Sequence, residues 1–248
     1  MKEWIAGRNP VYECLRANRR HFFRLQIAAG VKKTGRIQDI LDLAKRLKIS
    51  VDWVERQEIN KLIKNHQGTV LEASGYPYVP IEEVFSKASS LNEPLFILIL
   101  DQIQDPQNFG TLIRSAEQFG VQGILIPQHR AAGITNSVVN ASSGATEHML
   151  IAQGNLAQAI TLIQERNGWV IGMDMEPSST PIDQVDWQGN LALVIGSEGN
   201  GLRRLVREKC DVVTHIPMQG RLDSLNAAVA GSIALFTAYQ HRSSQKNG

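Results

Sequence analysis

Cysteine is nearly missing from this chain: Cys14 and Cys210 are the only two among 248 residues, with no CxxC and no Cys/His cluster around either. That pattern argues against a disulfide framework and a zinc site, and no metal is expected. Long apolar runs are missing as well. None approaches the roughly 18 to 20 residues that a membrane-spanning helix needs. The opening stretch MKEWIAGRNPVYECLR has neither an apolar signal core nor the Arg/Ser-rich character of a transit peptide. A soluble, cytoplasmic protein with no membrane partner is expected.

Both familiar phosphate loops are absent too. GxxxxGK[ST] does not occur, which excludes Walker-type binding. Gly196, Gly199 and Gly201 in VIGSEGNGL fail the GxGxxG pattern, which belongs after the first strand of a sheet and has an acid on a second strand about 20 positions later. Here the glycines follow the fourth apolar run of their domain. Glu198 in the middle of the turn would repel phosphate and compete for the same backbone N–H groups. The ligand of this turn is expected to be neutral or cationic.

What is present is enough to build a sizeable core, with 43% hydrophobic residues. The net charge of +2 is divided unevenly. Residues 1–78 carry 15 Lys/Arg against 8 Asp/Glu, a net of +7, and residues 79–248 carry 11 against 16, a net of −5. This asymmetry suggests an N-terminal unit that meets a polyanion and a C-terminal unit with another task. The N-terminal unit reads as a small α/β domain. Strands are expected at RLQIAAG and ISVDWV, and a helix over Gly35–Leu47, where Ile37, Ile40, Leu41, Ala44 and Leu47 recur at helical spacing. Gly75, Pro77 and Pro80 then break regular structure, and the polar FSKASSLNEP has the composition of a linker. The expected domains are therefore 1–78, a linker over 79–93, and 94–248.

In the C-terminal domain five apolar runs, LFILIL, GILIP, GWVIGM, LALVIG and DVVTHIP, alternate with helical-period segments. Uninterrupted apolar strands of this kind indicate a parallel sheet covered on both faces. Ligands of such sheets bind at the carboxyl ends of the strands, so three loops draw attention. In LDQIQDPQNFGTLIRSAEQFG, Asp105 and Pro106 make a turn, Asn108 is read as a helix N-cap, and Arg114 shares a helix face with Gly110 and Thr111. The second loop is the Glu198 turn. In IPMQGRLDSLNAAVAGSIALF, Ser224 or Asp223 is the expected cap of a helix so apolar that it should be buried by the sheet and by another chain, with Asn226 in its first turn either an extra cap contact or a functional polar group.

Together, DPQNFGTLIRSAEQFG, VIGSEGNGL and IPMQGRLDSLNAAVAGSIAL resemble motifs 1, 2 and 3 of the SpoU class of SPOUT methyltransferases, in that order. GRNPVYECLR and HQGTVLEA further resemble the substrate-binding extension of the RlmB/TrmH group, an L30-like RNA-binding fold. The resemblance implies a parallel-sheet α/β domain with a deep trefoil knot, a homodimer, S-adenosyl-L-methionine as cofactor, and 2′-O-ribose methylation of structured RNA. Within the group, the likeness is to enzymes acting on a guanosine of large-subunit (23S) ribosomal RNA. A transfer-RNA target and a non-catalytic ribosome-assembly factor stand as alternatives. By motif, Asn108, Arg114, Glu198, Ser224 and Asn226 are the implied catalytic residues. Gly196, Ile216 and Leu225, with Pro217 and Met218 beside them, are the implied cofactor contacts. Motif 3 usually reads SLNVSVA, so Ala228 here replaces a small hydroxyl residue. Arg8, Arg19, Arg20, Arg24, Lys32 and Lys33 are the candidate RNA contacts by charge, and Arg203, Arg204, Arg207 and Lys209 form either a solvated helix face or an extension of the RNA track.

Overall fold

The computed structural model describes residues 2–128, 132–176, 178–199, 201–221 and 224–244. Up to Ser74 the elements are β1 (Lys2–Ala6), α1 (Arg8–Ala17), β2 (Phe22–Ala28), α2 (Arg36–Arg46), β3 (Val51–Val54), α3 (Arg56–Leu62) and β4 (Thr69–Ser74). There follow α4 (Ile81–Leu91), β5 (Phe96–Asp101), α5 (Pro106–Gln118), β6 (Gly123–Pro127), α6 (Asn136–Ala141), β7 (Ile151–Gly154), α7 (Leu156–Gln164), β8 (Trp169–Met173) and β9 (Thr180–Pro181). The last are β10 (Leu191–Gly196), α8 (Arg204–Glu208), β11 (Val212–His215) and α9 (Ala227–Ser244). Among the described residues no helix is long and apolar enough to cross a membrane.

The chain divides into two units. The first takes the residues up to Pro77 together with Gly133–His148; the second takes Tyr78–Ala132 and the chain from Met149 onward. In the first unit four strands are ordered β1-β4-β2-β3, antiparallel except for the β2/β3 pair. Side chains alternate across the pleat, so Ile5, Leu25, Ile27 and Leu71 share one face and are fully buried, as are Val11 and Cys14 of α1 and Ile37, Ile40 and Ala44 of α2. Ala6, Ala28 and Val70, on the opposite face, cluster with Ile59 of α3.

The 133–148 segment is joined to this unit by specific bonds. The Asn136 side chain accepts the Ala6 N–H at 2.9 Å. Gly144 passes so close to α1 that a Cβ there would lie 2.7 Å from that of Glu13. Glu147, 1% exposed, takes the guanidinium of Arg20 at 2.7 and 2.8 Å, and Arg20 also reaches Glu3 at 3.1 Å. A C-terminal domain running without interruption from 94 is thus not what the fold shows.

The second unit is a seven-stranded sheet ordered β7-β6-β5-β10-β8-β11-β9, with every pair parallel. The central strands β5 and β10 are buried along their whole length, as their unbroken apolar runs require. One core cluster takes in Ile97, Ile99 and Val194 together with residues of α4 and α7. On another side α9 packs on α5 and β10: a Cβ on Gly231 would meet Leu112 at 2.5 Å and Ile195 at 3.3 Å.

The expected linker over 79–93 is a correction. It contains α4, whose Val84, Phe85 and Ala88 are buried in the core. Its serines look like linker residues, but Ser86, Ser89 and Ser90 each donate to a carbonyl one turn back, at 2.9, 3.2 and 2.7 Å. Their hydroxyls are satisfied inside the helix.

Candidate active site

The carboxyl ends of β5, β8, β10 and β11 lie side by side in the sheet order. From β10 the chain enters a tight loop in which Ser197 and Gly201 exchange backbone hydrogen bonds at 3.1 and 3.0 Å. Gly196 is required there, because a Cβ would sit 2.3 Å from the Gly201 carbonyl carbon and 2.6 Å from the Leu202 nitrogen. Two carboxylates clamp the loop's far side. Asp101, fully buried at the end of β5, accepts from the Arg203 N–H at 2.9 Å and from Arg203 Nε at 2.6 Å. Asp174, just past β8, accepts from the Leu202 N–H at 3.2 Å and the Met175 N–H at 2.8 Å. Sequence reasoning missed both acids. The signal was there, since each is the first charged residue after an apolar run, in LFILILD and GWVIGMD.

The loop presents Glu198 to residues from the other two motifs. Its Oε1 accepts from Asn108 Nδ2 at 3.0 Å, from Asn226 Nδ2 in a short contact, and from the Ala227 N–H at 3.4 Å. Asn226 Nδ2 also donates to Asn108 Oδ1 at 2.9 Å, which closes a triangle of three side chains. The cap expected at Asn108 needs correcting, and the cap contact read for Asn226 takes the place expected for Ser224 or Asp223. Asp105 caps α5, taking the Asn108 N–H at 2.8 Å with Pro106 opening the helix, so the Asn108 side chain is left to the triangle. Asn226, rather than Ser224, caps α9: its Oδ1 accepts from Ala228 and Val229 at 3.0 and 3.1 Å. Asp223 lies outside the described residues. Asn226 therefore spends its oxygen on the helix and its nitrogen on Glu198 and Asn108.

A cavity of about 660 Å³ opens beside the triangle. Gly196, Ile216, Met218, Leu225 and Ser224 line it, as do Asp174, Glu198 and Asn226. Pro217 is exposed and does not. Arg207 at its wall is ion-paired to Glu176 at 2.6 Å. A second cavity of about 260 Å³ is lined by Gln102, Gln104, Asp105 and Asn108 and shares Ser197 and Glu198 with the first. Arg114 lies on the exposed side of α5 and lines neither.

The basic residues divide sharply. Arg8, Arg24, Lys32 and Lys33 are exposed, with Lys33 over the Trp53 ring at 4.6 Å and Arg24 paired to Glu72 at 2.9 Å. Arg20 is a correction: its side chain is fully buried and committed to Glu147 and Glu3, so it presents nothing to RNA. Arg19 is drawn inward too, donating to the Tyr76 hydroxyl and the carbonyls of Glu147 and Pro77 at 3.3 to 3.4 Å. Of the second cluster, Arg203, Arg207 and Lys209 bond to Asp101, Glu176 and Thr161, and Arg204 pairs with Glu208 at 3.3 Å.

Neither thiol is a nucleophile at neutral pH. Burial pushes Cys14 well up, with Glu147 adding to it, and burial followed by Asp211, Asp101 and Asp174 pushes Cys210 up to about 12. Among the described residues no group of three His, Cys, Asp or Glu side chains is placed to hold a metal ion.

Residues 95–236 match the SpoU rRNA methylase family, and residues 4–79 match the substrate-binding domain of RNA 2′-O ribose methyltransferases. The chain belongs to the SpoU rRNA methylase family. This SpoU-family RNA methyltransferase is 39% identical over 244 residues to YacO of Bacillus subtilis, named for the TrmH family of tRNA/rRNA methyltransferases, covering 97% of this chain and 96% of that one. A Staphylococcus saprophyticus protein named for the same family is 35% identical over 240 residues, covering 96% and 95%. The SpoU-family fold is that of solved structures. The methyltransferase AviRb from Streptomyces viridochromogenes in complex with AdoMet superposes with a TM-score of 0.78 at 19% identity, over 98% of this chain and 91% of that one. An AdoMet-bound rRNA methyltransferase from Sinorhizobium meliloti gives 0.78 at 23% identity, over 97% and 87%.

Proposed function

We propose that the chain is an S-adenosyl-L-methionine-dependent 2′-O-ribose methyltransferase acting on a guanosine of large-subunit ribosomal RNA. The observation that carries the reading is the pair of cavities, about 660 and 260 Å³, that share Ser197 and Glu198 as a wall. The larger fits the cofactor chemically. It offers glycine backbone for close approach, apolar contacts from Ile216, Met218 and Leu225, and carboxylates rather than a phosphate cradle. When bound there, S-adenosylmethionine supplies an electrophilic methyl group on a cationic sulfonium. The smaller cavity, lined by amides and carboxylates, suits the hydroxyls and base edge of one acceptor nucleotide.

In this reading the triangle of Asn108, Glu198 and Asn226 holds the two sides in register, and most of the rate gain comes from positioning and electrostatics. A guanidinium offers N–H donors and no acceptor, so Arg114 is not assigned the part of general base. Its role is to orient the target's phosphate from outside the two cavities, the hydroxyl proton leaving by water or phosphate. Two further features belong to the same proposal. One is a knotted C-terminal chain. The other is a homodimer: Val229, Ile233, Phe236 and Tyr239, 38% to 48% exposed on α9, form an apolar stripe suited to a second copy.

The test is radiolabel transfer from S-adenosylmethionine to total RNA, followed by mapping of 2′-O-methyl sites in cells with and without the gene. One guanosine of large-subunit RNA losing its methyl group is the expected result. Loss confined to transfer RNA replaces the substrate, and no transfer to any RNA overturns the reading.

A further inference from the structure

We propose that His215 is a cofactor-binding residue, its imidazole accepting a hydrogen bond from the adenosine half of S-adenosylmethionine in the tautomer that Ser179 sets. The proposal rests on the reading of the 660 Å³ cavity as the cofactor site.

His215 ends β11, immediately before Ile216, and lines that cavity. Its Nδ1 is 2.8 Å from Ser179 Oγ. A hydroxyl has one proton to give, and that of Ser179 goes to the Glu176 carbonyl oxygen at 2.6 Å. The only balanced arrangement makes Nδ1 the donor and Ser179 Oγ the acceptor. A neutral imidazole donating from Nδ1 carries its lone pair on Nε2. Among the described residues Nε2 has no hydrogen-bond partner in the protein. His215, which lines the cavity, thus carries an acceptor nitrogen set by a serine that is itself tied to the backbone of its loop.

The neighbouring charges are committed elsewhere. Glu176 is neutralised by Arg207 at 2.6 Å. Asp174 receives the N–H groups of Met175 and Leu202, and Glu198 Oε1 receives the amides of Asn108 and Asn226. None of them is bonded to the ring. The donors that an adenosine offers are the 6-amino group of the base and the two ribose hydroxyls, and a ring acceptor suits any of them.

The experiment is titration calorimetry of the full chain with S-adenosylmethionine at pH 8. His215→Gln, which keeps an acceptor near the Nε2 position, holds the wild-type affinity within about threefold. His215→Ala loses about tenfold at pH 8 while keeping the wild-type melting temperature. The ring ¹⁵N shifts of the free protein report the Nδ1–H tautomer, and Ser179→Ala mixes the two. S-adenosylhomocysteine analogues lacking the 6-amino group, the 2′-hydroxyl or the 3′-hydroxyl identify the donor: one of them weakens on wild type and not on His215→Ala. Binding that is unchanged in His215→Ala overturns the inference while leaving the cofactor site standing. Equal losses for every analogue on both proteins overturn it as well. No binding to wild type overturns both.

Discussion

Asn226 shows how one side chain serves stability and the site through different atoms. Its oxygen caps α9 and its nitrogen joins Glu198 to Asn108. Serine can replace the first function but not the second. Asn226→Ser is expected to melt within a few degrees of wild type while methyl transfer falls at least about 100-fold; Asn226→Ala loses the same activity and about 1 kcal/mol besides. Calorimetric melting beside a transfer assay separates the two. Arg20 is a different case, a cation with a purely internal partner. Arg20→Met leaves Glu147 buried and unpaired, at an expected cost of about 3–5 kcal/mol by denaturant unfolding, and Arg20→Met with Glu147→Leu recovers most of it. At this scale the sequence was only partly legible. The three motifs carry Asn108, Glu198 and Asn226 plainly, yet charge alone did not separate the buried Arg20 from the exposed Arg24, because both are simply arginines in a basic stretch. His215 was missed for a related reason: a lone histidine ending a strand has no pattern around it until Ser179, from another loop, stands beside it.

At the level of elements, β5, β6, β8 and β10 could be read from their apolar runs because a strand buried on both faces has no polar alternation to disguise it. The edges were harder. β1 is a five-residue KEWIA with a mixed burial pattern, and β7 is a four-residue IAQG, both short of the length at which periodicity speaks. The helix α4 was hidden by its serines, whose hydroxyls fold back on their own backbone. In α9 the apolar composition was legible, while its division into a side packed on α5 and an exposed stripe needed the fold. That division makes a prediction. Ile233→Glu with Phe236→Glu places two charges on the stripe and leaves the face of α9 holding Ser232 against Ser115 at 2.8 Å intact. Sedimentation is expected to show a folded monomer in place of a dimer, with unchanged helical content by circular dichroism. An unshifted sedimentation coefficient would remove the stripe from the proposed interface.

For the whole molecule, the charge division is a matter of salt as much as of fold. If Lys32 and Lys33 meet phosphates, replacing both by Gln lowers the slope of log affinity for ribosomal RNA against log salt by about one for each phosphate they neutralise, and Arg20→Met leaves that slope alone. Equal slopes for the double variant and wild type would move the RNA track elsewhere. The division into two units was legible from that charge shift, but its interleaving was not. Gly133–His148 is short, nearly uncharged, and sits between segments of the other unit. Nothing in its composition says where it belongs; Glu147 finds Arg20 only in three dimensions. The placement has a consequence for the order in which the protein comes into being. A chain emerging from the ribosome releases its first 77 residues early, with Arg20 still lacking its principal counter-charge. The N-terminal unit waits for Glu147, 127 residues beyond Arg20, before their buried ion pair can close.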